Sequence, residues 1–268
     1  MSAQTWMKLA NSLSGIINHL PPHMATKIYS AGHRYITKQF IQYKPNFNYT
    51  PEKALERKLW NLTFRTPLIN ASGMFKNGDG YDLSYKLGAG GYIGGTSTYN
   101  PRGGNNKNNI KCPFVFLAKS KTSLNYMGLP NLGDEVLANK IITTHKHENC
   151  PIGWSLSRSP DYSLEEGLSN LVKSLWLYHE NQQIDFIEIN ESCPNIKGNP
   201  GDIKDRLKFI ADKFLSNRKR NLPVIVKFSN DLELKDIPEI LDILFECKFD
   251  GITIGNTSTK YSEIFKYL

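Results

Sequence analysis

The sequence has no aspartate or glutamate before Glu52. It has no run of roughly 18 apolar residues, so no membrane-spanning helix is expected. Its start lacks a basic segment followed by a compact apolar one, which argues against a secretory leader. The four cysteines, Cys112, Cys150, Cys193 and Cys247, stand far apart. No two have metal-ligand or redox spacing, which points to a reducing compartment and to no bound metal. No GxGxxG follows any expected strand, which lowers a dinucleotide-binding reading. There is no arginine-rich segment. The one tight basic cluster is Arg218, Lys219 and Arg220, so nucleic acid is not an expected partner. The net charge of +8 still permits an anionic ligand or an acidic membrane surface.

What is present divides at about residue 44. In residues 1–44, Trp6, Leu9, Ala10, Leu13, Ile16, Ile17 and Leu20 recur at helical spacing until Pro21-Pro22. A second helix follows, with Met24, Ile28, Tyr29, Tyr35, Ile36, Phe40 and Ile41 on one side. Basic and acid-free, the pair suits a membrane interface or a hydrophobic ligand tunnel; the plainer alternative is a helical cap on a core. Residues 45–66 read as a linker and a small hairpin with Leu59, Trp60, Leu62 and Phe64 on its apolar side.

A rhythm of strand, loop and helix then begins. Strands are expected at 67–71, 91–96, 152–156, 186–190, 224–228 and 251–254, with helices at 81–87, 164–179, 203–215 and 234–245. Alternation of this kind implies a parallel sheet. Several strands end in polar or glycine-rich turns, which favours an α/β fold of the (β/α)8 TIM-barrel type over a doubly wound sheet. Such a barrel has eight strands and only six are legible, so the expected barrel is incomplete, with two open sheet edges. The expected domains are a helical extension, 1–44, and a partial barrel, 45–268.

The stretch from Phe186 to Gly201, FIEINESCPNIKGNPG, organises the chain. It starts as an apolar strand and turns polar at Asn190. Pro194 biases Cys193 away from helix. Two amides, Asn190 and Asn195, and a thiol, Cys193, therefore sit at the C-terminal mouth of a strand, where parallel α/β folds bind ligands.

Six stretches together carry a resemblance: NASGMFKNGDG (70–80), GGTSTYNPRGGNNK (94–107), LNYMGLPNLG (124–133), INESCPNIKG (189–198), VKFSNDL (226–232) and GITIGNTSTK (251–260). In this order and spacing the chain resembles the dihydroorotate dehydrogenases, flavin enzymes of pyrimidine synthesis. The resemblance implies FMN across the barrel mouth and oxidation of (S)-dihydroorotate to orotate. It implies that Ala71 and Gly73 let the backbone approach the flavin, and that Lys76 lies near the flavin and the orotate carboxylate. Thr96 and Ser155 become cofactor contacts, and Asn125, Asn190, Asn195 and Asn256 ring the pyrimidine with Thr257 at the same edge. Asn190 and Thr257 also count as cofactor contacts. Lys227 becomes the cation beside the flavin N1–C2=O edge, and Cys193 takes the family's base position.

Branch features divide. Cys193, MGLPNLG and Ser155 resemble the soluble, fumarate- or NAD-linked members. Lys76, the GGT at 94–96 and the helical extension resemble the membrane-associated, quinone-using members. Weighting the extension and Lys76 implies quinone as acceptor and a peripheral inner-membrane location, bacterial or mitochondrial, through residues 1–44. The cytoplasmic, fumarate- or NAD-linked alternative stays open, as does a truncated non-catalytic relative acting through membrane or partner binding. The family grips the FMN phosphate with loops after strands seven and eight. Those are not among the 268 residues, so these residues alone are expected to hold the flavin weakly.

Overall fold

The computed structural model describes residues 3–106, 110–117, 122–191 and 201–260. In chain order they form α1 (Ala3–Ile17), α2 (Pro22–Gln42), β1 (Arg57–Leu59), β2 (Leu62–Phe64), β3 (Ile69–Asn70), α3 (Tyr81–Lys86), β4 (Gly91–Ser97), β5 (Phe114–Leu117) and β6 (Thr122–Asn125). Then come α4 (Asp134–Ile142), β7 (Ile152–Leu156), α5 (Leu164–Glu180), β8 (Phe186–Asn190), α6 (Gly201–Lys213), β9 (Val224–Ser229), α7 (Ile237–Glu246) and β10 (Gly251–Asn256). The chain divides into two compact units. One holds residues 1–44 and 103–130; the other holds 45–102 and 131–260.

The first unit contains the helix pair and an antiparallel hairpin, β5 with β6. Pro22 at the first position of α2 starts that helix, where a missing N–H is harmless. The hairpin is fastened to the helices by directional contacts. The backbone N–H of Cys112 donates to Ser30 Oγ at 3.0 Å and Asn18 Nδ2 donates to the Phe116 carbonyl at 3.2 Å. The Phe114 ring meets Tyr29 edge-on, with His33 tilted against it. This is why residues 103–130 group with the helices rather than with the barrel strands. Among its described side chains the buried ones are small: Ser14, Ala25 and Ser30. Several of its large apolar side chains are exposed, among them Leu13 at 44%, Ile16 at 68%, Met24 at 45% and Tyr35 at 51%.

The second unit is built on a six-stranded sheet of order β10-β9-β8-β7-β4-β3. Every neighbouring pair is parallel. This is the curled parallel half of a (β/α)8 barrel, as the strand–helix rhythm implies. Alternation along the strands sorts residues to two faces. On β7, Trp154 faces the helices and stacks on Tyr178 of α5, with ring centroids 5.4 Å apart. On the other face Phe64, Ile93, Phe186 and Ile225 form one buried cluster near the N-terminal ends of the strands. The β1–β2 hairpin closes that end: Trp60 and Leu62 pack on the cluster, and Trp60 Nε1 donates to the Asp250 carbonyl at 3.2 Å. Gly153 belongs to the same layer, and a Cβ there would lie 2.3 Å from the Phe186 ring. The absent side chain leaves the space that Phe186 fills.

Some elements differ from the sequence expectations. The strand expected at 67–71 shortens to Ile69–Asn70. The helix expected at 203–215 starts two residues earlier and gives way to a 3-10 turn at Leu215–Asn217. Helix α4 and the β5–β6 hairpin were not expected. Asp134 explains the start of α4. It is fully buried in the first helical turn, and its carboxylate accepts hydrogen bonds from Ser97, Ser174 and Tyr178. Burial raises its carboxyl above the usual range, against the pull of those hydroxyls.

Candidate active site

Above the apolar layer the inward-facing residues become polar. Period-two alternation puts Glu188 and Asn190 of β8 on the face that Phe186 shares, and it puts Lys227 of β9 on the face that Ile225 shares. Glu188 and Asn190 are buried, as are Thr96 and Ser155. A polar group placed there must find partners or carry an unpaired penalty of about 1–3 kcal/mol. The partners are one another.

The hydrogen bonds run as a continuous chain. Asn190 Nδ2 donates to Thr96 Oγ1 at 3.1 Å, and Thr96 Oγ1 lies 2.9 Å from Ser155 Oγ. Ser155 Oγ donates to Glu188 Oε1 at 2.8 Å, and Ser72 Oγ donates to the same oxygen at 2.9 Å. Lys227 Nζ donates to Ser72 Oγ at 3.3 Å and stands 3.9 Å from Glu188 Oε1. The chain thus joins residues of β4, β7, β8 and β9 with the turn after β3. Ser157 Oγ donates to the Asn190 carbonyl at 3.1 Å and fixes the end of β8.

The site residues expected from sequence separate into groups. Thr96, Ser155, Asn190 and Lys227 are members of the chain. Gly73 adjoins it: its N–H donates to the Gly95 carbonyl at 2.7 Å, and a Cβ on Gly73 would stand 3.8 Å from Lys76 Nζ. Ala71 precedes Ser72 and is exposed. Asn256 ends β10, where it pairs in register with Ser229 of β9, and Thr257 follows it. Asn256 Oδ1 accepts from the Thr257 N–H at 2.9 Å. The loop beyond is tied to Asp231, whose carboxylate accepts from the hydroxyls of Ser258 and Thr259 at 2.5 and 2.7 Å. Burial pushes the Asp231 carboxyl up, but these bonds outweigh it and hold the group below its ordinary value. Asn125 ends β6 in the other unit. Cys193 and Asn195 lie outside the described residues.

Two members of the chain were missed in the sequence, Ser72 and Glu188. The signal for Glu188 was its place two residues before Asn190 in a strand whose other members are apolar or amide. Ser72 sits inside the NASG stretch, between two residues singled out for close backbone approach. Beside the chain, Glu191 and Arg206 form a second buried pair, with Nε 2.8 Å from Oε2.

A parallel half-barrel with its convergent polar groups toward the strands' C-terminal ends defines a barrel enzyme site. The particular family follows from comparison. Residues 54–266 match the family model described as dihydroorotate dehydrogenase, and the chain belongs to that family. It is 32% identical over 208 residues to a protein of Trichodesmium erythraeum (strain IMS101) named dihydroorotate dehydrogenase (quinone), covering 76% of this chain and 53% of the relative. The protein of the same name from Rippkaea orientalis is 32% identical over 213 residues, covering 78% of this chain and 55% of the relative. The chain therefore spans about half the length of these curated relatives. In fold it is similar to a ligand-free DHODH from Eimeria tenella, with a TM-score of 0.72 at 22% identity, covering 85% of this chain and 69% of that one.

Proposed function

We propose that this chain carries the flavin and substrate half-site of a dihydroorotate dehydrogenase that oxidises (S)-dihydroorotate to orotate and passes the electrons to quinone. The observation that carries the reading is the hydrogen-bonded chain from Asn190 to Lys227, set among family motifs in family order. Its donor set fits FMN. An amide, hydroxyls and an ammonium converge, and these are the groups that answer the alternating C=O and N–H edge of a flavin ring. Thr96, Ser155, Asn190 and Lys227 hold that edge, Ala71 and Gly73 leave room beside it, and Thr257 supports it. The bound flavin supplies a two-electron acceptor. Lys76 pairs with the substrate carboxylate as a point charge. Asn125, Asn190, Asn195 and Asn256 orient the pyrimidine, and Cys193 takes the proton from its C5.

Quinone is favoured over fumarate by the names of the relatives and by the helix pair, several of whose large apolar residues are exposed. No helix among the described residues is long and apolar enough to cross a membrane. A basic, acid-free pair with an apolar face instead suits the plane of a membrane interface, where both the pair and a long-chain quinone partition. Deleting residues 1–44 from the flavin-loaded protein should leave flavin reduction by dihydroorotate intact and slow reoxidation by a long-chain quinone. Stopped-flow absorbance separates the two half-reactions. Efficient reoxidation of both forms by fumarate, and of neither by quinone, would assign the chain to the soluble branch.

A further inference from the structure

We propose that Glu188 is the counter-charge of Lys227 and that this pair, bridged by Ser72, sets the reduction potential of the flavin. The proposal rests on the flavin reading above and deepens it, because none of the sequence motifs singled out Glu188.

The geometry is specific. Glu188 is 2% exposed, and the Lys227 ammonium stands 3.9 Å from its carboxylate. Ser72 relays between them, accepting from the lysine at 3.3 Å and donating to the glutamate at 2.9 Å. Ser155 supplies a second donor to the same carboxylate oxygen at 2.8 Å. A carboxylate in that position needs no ligand to satisfy it, so its partners within the fold are settled before any cofactor arrives. Replacing Glu188 by an apolar residue would leave Lys227 without a counter-charge, and burying an unpaired ammonium is strongly unfavourable. The fold therefore needs the acid to hold the lysine in place.

The consequence is electrostatic. A flavin gains negative charge on reduction, and a cation beside its N1–C2=O edge favours that state. A negative charge within a few ångströms of the same cation offsets part of this effect, and with the carboxylate 2% exposed the offset is only weakly screened. Glu188 thus lowers the potential that Lys227 alone would impose, while the serine relay aims the ammonium. Glu188 is in this sense a positioning and tuning residue rather than a catalytic one.

The test is the midpoint potential of the bound flavin in the full-length natural protein, measured by anaerobic spectral titration against a reference dye. Glu188→Gln keeps the size and one acceptor oxygen and removes the charge. It should favour the reduced flavin by about tenfold, a rise of about 30 mV for a two-electron couple. Glu188→Asp, which keeps the charge but draws it back by one methylene, should move the potential in the same direction by less. It serves if the glutamine variant does not fold. Lys227→Met should move the potential the opposite way. A flavin-loaded wild type whose potential changes less than twofold in equilibrium terms in the glutamine variant, or in the aspartate variant if that one is used, or falls in either, overturns the proposal and leaves the flavin reading standing. A wild type that binds no flavin overturns both.

Discussion

Replacing Cys193 by alanine is expected to slow reduction of the bound flavin by dihydroorotate by about 10²–10⁴-fold, the usual worth of a positioned general base. Oxidation of the substrate requires a proton to leave C5 as the electrons leave C6, and the asparagines that flank the ring in this reading supply no base for it. Asparagine side chains donate and accept hydrogen bonds but do not take up a proton near neutral pH. Orotate binding should survive, because in the proposed site Lys76 and the asparagines carry it. A free thiol titrates near 8.5, so Cys193→Ser, with a far less acidic hydroxyl, should keep partial activity with its optimum moved to higher pH. Near-normal flavin reduction by the alanine variant in a single-turnover experiment removes Cys193 from this role.

Lys227→Met is expected to have the largest effect on stability. Glu188 is 2% exposed, and the lysine ammonium lies 3.9 Å from its carboxylate. Removing one partner of a buried ion pair leaves the other charge uncompensated, which costs about 3–5 kcal/mol. The two serine donors soften this loss without supplying a charge. The double replacement Lys227→Met with Glu188→Leu removes both charges at similar volume. Such swaps are often close to neutral, so the double variant should recover most of the lost stability. Urea unfolding of the single and double variants measures the difference. A double replacement that costs as much as Lys227→Met and Glu188→Leu added together would show that Glu188 and Lys227 are not coupled.

The parts of this structure that were legible in the sequence share one property: their pattern is local. The strands at Gly91–Ser97, Ile152–Leu156, Phe186–Asn190 and Val224–Ser229 are short apolar or small-residue runs closed by polar turns. The two N-terminal helices are periodic and separated by Pro21-Pro22. The β5–β6 hairpin was not legible because Phe114–Leu117 and Thr122–Asn125 alternate weakly and are fastened through distant partners, Asn18 and Ser30. Helix α4 is not legible because Asp134 reads as a surface acid until Ser97, Ser174 and Tyr178 converge on it.

The site was legible to a similar degree. Thr96, Ser155, Asn190 and Lys227, four of the residues the resemblance puts at the cofactor, stand in one hydrogen-bonded chain. Glu188 was passed over because an acid in the apolar run FIEIN looks like an interruption. Only the register of β8 against β9, with Asn190 opposite Lys227, shows that the acid and the lysine face the same interior. The pairing is a property of adjacent strands, and neither strand carries it alone.

The most direct test is an anaerobic titration of the purified full-length protein with (S)-dihydroorotate, followed by its visible absorbance. The account predicts a yellow protein with one FMN per chain, whose absorbance is bleached by one equivalent of dihydroorotate and restored by added quinone. A colourless protein, or a yellow one that dihydroorotate fails to bleach, would contradict it.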